Sequence, residues 1–180
     1  MKTMIAAALI LAFLLFFAPA QAQENRMPAH PAPRVDSQSL MARPDMKDEE
    51  ILDWATQAAV ASMTFGHRDY QGRLKTAAGY FTKAGWDKFA EGLVSVQFLD
   101  IVVAQKITLI AAPAGQGAII QQGLVDDAYA WHVILPIALY HSSEDGAEKR
   151  QRMNLSLLIT RSSQNKDGRG INDWAQVAAE

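Results

Sequence analysis

Four histidines are the first residues of this chain that could do chemistry, because imidazole binds metal ions and transfers protons near neutral pH. They stand at His30, His67, His132 and His141. No two of them have the i, i+4 or H-x-H spacing that places two imidazoles on one face of an element. The sequence also has no cysteine, so no thiolate can complete a zinc site. We therefore expect no metal site and no cofactor.

Acid–base catalysis has a limited set of candidate residues. Asp100, Asp126, Asp127 and His132 could project into a cone formed by a curved sheet, but a working site needs several polar groups converging in an apolar pocket. These four are isolated in the sequence, and an Asp-Asp pair is typical of a turn. No G-x-S-x-G or S-x-x-K nucleophile motif occurs. The sequence predicts a protein that is not an enzyme. The alternative is a small-molecule-binding or enzymatic cone with a deep pocket holding His132 or an aspartate.

The charge balance argues against nucleic acid as a partner. The chain has 17 basic and 19 acidic residues, and the basic residues are scattered rather than arranged in a stripe that could follow phosphates. The missing cysteine also excludes disulfides and a lipid-modified cysteine anchor.

The first 22 residues resemble an export signal. Lys2 precedes an apolar run from Met4 to Ala18, Pro19 follows, and Ala20-Gln21-Ala22 has the small-x-small pattern of a cleavage site. The run is shorter than the roughly 20 residues that span a bilayer core. We predict a signal peptide at residues 1–22, cleaved between Ala22 and Gln23, and a periplasmic protein. The alternative is an inner-membrane protein anchored by an uncleaved segment.

Residues 23–46 are predicted to form a disordered, proline-rich tether. This segment holds four of the seven prolines and few apolar residues, so it cannot bury enough surface to offset its ordering entropy. The remaining residues, 47–180, have the length of a single domain.

The first part of this domain is predicted to be helical. Asp48, Glu49 and Glu50 suit the positive end of a helix dipole, and the following small residues share one helical face: Ala55, Ala58, Ala59 and Ser62. We expect this face to pack on a sheet, and contact with a neighbouring subunit is the alternative. Trp54 lies off that face and either covers the sheet or stands at a partner surface.

Two further helices follow. One is expected at 71–78. The other has Thr82 as its N-cap, and Phe81 and Trp86 are spaced as a hydrophobic staple. Trp86, Phe89 and Leu93 continue a stripe with the i, i+3, i+7 spacing of a helix that lies on a core.

After about Val96 the pattern becomes that of strands. Four are predicted: one around Ile107 and Leu109, then 118–125, 129–141 and 153–161. Short turns between them indicate an antiparallel meander, and Pro136 is expected at an edge or a bulge because it lacks an N–H. Helices followed by strands predict an α+β fold, with N-terminal helices on a curved four-stranded antiparallel sheet.

The order and spacing of certain residues resemble the DotI/IcmL family, which includes the TraM proteins of I-type conjugative plasmids. The resemblance extends over about 48–178 and depends on these residues: Trp54, Ala55, Tyr70, Leu74, Phe81, Thr82, Gly85, Trp86, Phe89, Gly123, Tyr129, Trp131, Val133, Pro136, Asn154, Leu155, Leu157, Arg161, Gly170 and Ile171.

This resemblance implies a periplasmic structural or assembly component of a type IVB secretion or conjugation apparatus. It implies a cone similar to the nuclear-transport-factor-two fold, and no catalytic residues. The partners would be other apparatus proteins, and possibly a second copy of the chain. Members of the family are typically anchored by one membrane-spanning helix. The cleavage pattern here implies only indirect contact with the inner membrane unless the N-terminal segment is retained.

Overall fold

The computed structural model describes residues 40–177 and confirms the α+β class, with helices packed against a curved antiparallel sheet. The predicted signal peptide, the cleavage site and residues 23–39 of the predicted tether lie outside the described residues. Short 3-10 turns occur at Leu40–Ala42 and Ala78–Tyr80. The helices are α1 (Asp48–Met63), α2 (Tyr70–Ala77), α3 (Lys83–Ser95) and α4 (Phe98–Ala104).

The sheet has six strands, so the prediction of four was wrong. The order across the sheet is β1-β2-β4-β5-β6, and β3 also pairs with β4. The prediction missed β1, which is only two residues long, and β6, which carries few apolar residues. The strands are β1 (Phe65–Gly66), β2 (Thr108–Pro113), β3 (Ala118–Val125), β4 (Ala128–Ser142), β5 (Glu148–Arg161) and β6 (Arg169–Val177).

The predicted meander was wrong at its first turn, because β2 and β3 do not pair with each other. Both pair antiparallel with the same side of β4, where Pro113 lies opposite Ile137 and Ala118 lies opposite Ile134. The two strands therefore form one long strand interrupted by a loop.

Pro136 lies opposite this interruption. Its carbonyl accepts a hydrogen bond from the Ala114 N–H at 2.8 Å. In a strand, the nitrogen and carbonyl of one residue point to the same side, so the proline nitrogen also faces the loop. β4 is an interior strand, but Pro136 faces a loop on this side and not another strand. Its missing N–H donor therefore interrupts no ladder of hydrogen bonds between strands.

Helix α4 was not predicted, because the apolar run at Phe98–Ala104 was interpreted as the beginning of the strands. Its first residues pack on the core through Phe98, Leu99 and Ile101. Gln97, just before the helix, has a left-handed backbone with φ of 52°. The β-branched residues of this segment favour strands in isolation, and burial against the core overrides that preference.

The core lies between the helices and the inner face of the sheet. The small-residue face of α1 is fully buried there, with Ala55, Ala58 and Ala59 at 0% exposure. The inner face supplies the opposite wall of the core with these residues: Trp131, Val133, Leu135, Ile137, Leu155, Leu157, Ile159 and Ile171. The face that could have met a neighbouring subunit is thus used within the domain.

Helix α3 begins as the sequence predicted. The Gly85 N–H donates to Thr82 Oγ1 at 3.0 Å, and the Phe81 and Trp86 rings meet at 5.6 Å between centroids. Phe89 and Trp174 extend this contact into an aromatic cluster that joins α3 to β6.

Replacing Thr82 by alanine is expected to lower the free energy of unfolding by about 1 to 2 kcal/mol, since the change removes the cap. It also removes a hydrogen bond of 2.9 Å from Thr82 Oγ1 to Asn172 Oδ1, which ties α3 to β6. Urea denaturation of Thr82→Ala and Thr82→Ser measures the effect. The serine variant keeps the hydroxyl and should retain most of the stability, and equal losses in both variants would contradict the capping role.

Candidate functional site

The described histidines lie apart from one another. His67 is in the turn after β1, His132 is in the middle of β4 and His141 is near its end. Within residues 40–177 there is no group of three or more histidine or acidic side chains placed to hold a metal ion. His30 is outside the described residues.

His132 contacts a possible nucleophile, the Ser156 hydroxyl group. Its Nε2 lies 2.6 Å from Ser156 Oγ on the neighbouring strand β5. Its position in β4 alternates with the buried residues Trp131 and Val133, so it lies on the outer face of the sheet rather than inside the cone. Asp173 is close enough to act on its charge, but that carboxylate is paired with Lys88 at 2.9 Å. This arrangement is a hydrogen bond on the outer face and not an enclosed catalytic site.

Partial burial lowers the pKa of His132 below its usual 6.5, and Asp173 opposes the shift. The unfolded chain then binds a proton at a higher pH than the folded protein does. The stabilising contribution is therefore present above pH 6.5 and is lost as the pH falls toward the folded pKa. The pKa of His141 is lowered in the same direction, first by burial and then by Lys149.

We expect the urea midpoint to fall between about pH 7.5 and about pH 5.5, with His132 supplying part of that slope. The His132→Asn variant keeps a polar side chain next to Ser156 but cannot titrate. Its midpoint should depend less on pH than that of the unchanged protein. Equal slopes for the two proteins would contradict the assignment, and His141→Asn tests the second histidine in the same way.

The inside of the cone is filled by side chains. A cavity among the described residues has a volume of about 30 Å³, which is space for about two water molecules. Its polar residues are Ser62 and Gln176, and Ser62 already donates to the Ala58 carbonyl at 2.7 Å. The apolar residues lining it include Phe89, Leu93, Phe98, Leu139 and Trp174. This is not the deep pocket that the enzymatic alternative predicts.

The aspartates considered for catalysis are also outside this cavity. Asp100 is exposed on α4. Asp126 and Asp127 form the exposed turn between β3 and β4, and both have positive φ, at 48° and 65°. Two consecutive residues with positive φ are typical of a type I′ hairpin turn. They are therefore turn residues, as the Asp-Asp pair indicated in the sequence.

Asp45, Arg161 and Arg169 form a charged cluster that we call the Asp45 clamp. The two arginines lie opposite each other at the end of β5 and the start of β6. Asp45 Oδ2 is 2.8 Å from Arg169 Nη2 and 3.5 Å from Arg161 Nε. Two like charges directly opposite each other destabilise a strand pair, and the carboxylate between them offsets that repulsion.

Each arginine of the clamp also contacts another part of the chain. Arg161 also donates to the Arg43 carbonyl at 2.9 Å. Arg169 lies over the Trp54 ring at 5.8 Å, and Trp54 Nε1 donates to Asp167 at 3.1 Å. The last residues of the predicted tether are thus held against the β5–β6 end of the sheet. Sequence reasoning identified Arg161 and Trp54 but not this contact.

A surface cleft of about 480 Å³ lies beside β1 and β2. His67, Arg68 and Asp69 line it, and Ile110 forms part of its rim. Asp69 accepts from the Gly66 N–H at 2.7 Å and pairs with Arg73 at 2.9 Å, and these contacts lower the pKa of its carboxyl group. Arg68 donates to His67 at 3.2 Å and is exposed.

The residues that carry the family resemblance are mainly packing residues. Ala55, Phe81, Phe89 and Trp131 are buried, and Trp54 is 9% exposed. Three others pack against the core while partly exposed: Tyr70, Trp86 and Tyr129. Gly123 lies opposite Ala130 in the β3–β4 pair, and Pro136 and Arg161 are described above.

Comparison with known proteins gives a family and a set of structures. Residues 3–179 match the DotI/IcmL family, which is described as an inner-membrane complex component of the type IVb secretion system. The periplasmic domain of DotI is 32% identical, with a TM-score of 0.71, and the match covers 74% of this chain and 97% of that one. No curated protein sequence matches significantly.

Two more distant structures share the fold. An IcmL-like type IV secretion system protein from Legionella pneumophila is 20% identical, with a TM-score of 0.67 over 75% of this chain and 95% of its own. A periplasmic fragment of TraM is 17% identical, with a TM-score of 0.66 over 74% of this chain and 98% of its own. Within residues 40–177, no helix is both long enough and apolar enough to cross a membrane.

Proposed function

Because the chain belongs to the DotI/IcmL family of type IVb secretion-system components, we propose that it is a periplasmic structural subunit of such an apparatus, used in secretion or conjugation. The family match over residues 3–179 is the observation that carries this proposal. It works by holding other apparatus proteins in place and not by catalysis. The small core cavity described above supports this role, since a volume of about 30 Å³ is far below that of a typical substrate pocket.

Co-purification from envelope fractions tests the structural role. The protein should be recovered together with other apparatus components, and deletion of its gene should reduce transfer. Restoring the gene should restore both properties. A protein that is always recovered alone, with transfer unchanged in the deletion strain, would overturn the proposal.

We also propose that the folded body is delivered to the periplasm by cleavage after Ala22, with residues 23–39 as a lead to the body. An intact mass of the protein isolated from the envelope decides this point. The expected mass is that of the chain without its first 22 residues. A full-length mass, with the protein retained in the membrane fraction, would replace this proposal with the anchored alternative.

A further inference from the structure

The outer face of the sheet carries an apolar and basic surface, which we call the basic strip, formed by Ile110, Tyr140, Arg150 and Arg152. Ile110 and Tyr140 are cross-strand partners on β2 and β4 and are 52% and 40% exposed. Arg150 lies opposite Tyr140 on β5, with its guanidinium 5.3 Å from the centre of the ring. Arg152 follows two residues later and so shares this face. The strip is a flat surface with two large apolar groups beside two cations.

Glu148 also lies on this face, two residues before Arg150, and with it the strip keeps a net positive charge. Arg150 and Arg152 are exposed, and neither forms an ion pair with a carboxylate in residues 40–177. Ile110 also borders the cleft that contains Arg68. Apolar anchors beside two arginines without an ion pair suit a partner with apolar side chains beside carboxylates.

The opposite end of β4 has that complementary composition. The hairpin between β3 and β4 ends in Asp126 and Asp127, which are exposed and form no ion pair among the described residues. Leu124, two residues before this turn on β3, is 47% exposed. We call these three residues, Leu124, Asp126 and Asp127, the acidic tip. The outer side of β3 has no partner strand within residues 40–177.

The two surfaces cannot meet within one molecule. Asp127 precedes the first residue of β4, and Tyr140 lies near the end of that 15-residue strand. At about 3.3 Å per residue, the two surfaces are separated by about 40 Å of strand. Any contact between them must join different molecules.

We propose that the acidic tip of one copy of this chain docks on the basic strip of a second copy, in a head-to-tail arrangement. The two surfaces differ, so each bound copy leaves one tip and one strip free. Such an interface builds an open chain, or a ring if the rotation closes. This inference rests on the proposed structural role and specifies one of its contacts.

The interface is expected to be small and sensitive to salt. A hairpin end on a flat strip is at the low end of the roughly 1,200 to 2,000 Å² that stable interfaces bury. The attraction is partly between exposed charges, and at about 0.5 M salt such charges are screened within a few ångströms. Self-association should therefore be seen at high protein concentration and should weaken at least about tenfold between about 50 mM and about 500 mM salt.

Sedimentation velocity of the full chain with two variants tests the arrangement. Asp126→Asn/Asp127→Asn removes the charge of the tip with a residue that tolerates positive φ, and Arg150→Glu/Arg152→Glu reverses the charge of the strip. Each variant alone should be a monomer. Mixed together, one variant still has an intact strip and the other an intact tip, so the mixture should form a one-to-one dimer that does not grow further.

The control is Val94→Ser, which changes the exposed apolar side chain at the end of α3 and should associate as the unchanged protein does. Thermal unfolding of each variant checks that the fold is retained. An unchanged protein that remains monomeric at low salt and high concentration overturns the proposal. A mixture of the two variants that stays monomeric also overturns it. Neither result bears on co-purification with other apparatus proteins, so failure of this contact is distinguishable from failure of the structural role.

Discussion

Replacing Gly85 by alanine is expected to lower the free energy of unfolding by at least about 3 kcal/mol, because the added carbon cannot be accommodated. A Cβ at this position would lie 2.0 Å from the Ile171 carbonyl oxygen and 2.9 Å from its carbon. Both atoms belong to the backbone of β6 and cannot rotate away. The helix and the strand must separate, which opens the aromatic cluster between them.

Urea denaturation measures this effect, and Gly72→Ala is the matched control. Gly72 lies in α2, and a Cβ there meets no atom within 4 Å. That change should raise stability by about 0.5 to 1 kcal/mol, since alanine favours the helix and glycine does not. If both alanine variants change stability by the same amount and in the same direction, the close approach of α3 to β6 is not what requires glycine.

Replacing Asp45 by alanine is expected to lower the free energy of unfolding by about 2 to 3 kcal/mol, because it leaves two buried guanidinium groups without a carboxylate. The Arg169 side chain is 10% exposed and that of Asp45 is 25% exposed, so water compensates only in part. The same change should also release the backbone near Arg43 from the body. Hydrogen exchange at residues 43–47 should accelerate in the variant.

Two further variants serve as controls for the effect of Asp45→Ala. Asp87→Ala removes an exposed pair with Lys83 and should cost less than about 0.5 kcal/mol. Combining Asp45→Ala with Arg169→Met should lose less than the sum of the two single losses, because the second change removes a charge that the first left unpaired. Strict additivity would show that the two side chains act independently.

The parts of the fold that the sequence predicted are those encoded by neighbouring residues. Thr82, Phe81 and Trp86 lie within six positions of one another, and together they identify the start of α3. The alternation along β4 and the Asp-Asp turn before it likewise lie within a short stretch of chain. The resemblance to the family is confirmed by the comparisons, and it too depended on the order and spacing of such packing residues.

The parts that were missed depend on distant residues. Helix α4 forms from a segment whose residues favour strands, because the helical conformation packs Phe98 and Leu99 against the core. Strand β6 mixes glycine, asparagine and aspartate with few apolar residues, and it is held by pairing with β5 and by the aromatic cluster. The Asp45 clamp joins residues more than 110 positions apart, and no local pattern indicates such a contact.

The Asp45 clamp attaches the chain to the sheet before α1 begins. Asp45 precedes α1 along the chain and is fastened to the adjoining ends of β5 and β6. A pull on the upstream residues would therefore act first on the Arg161–Arg43 hydrogen bond and on this clamp, before it reached the first turn of α1.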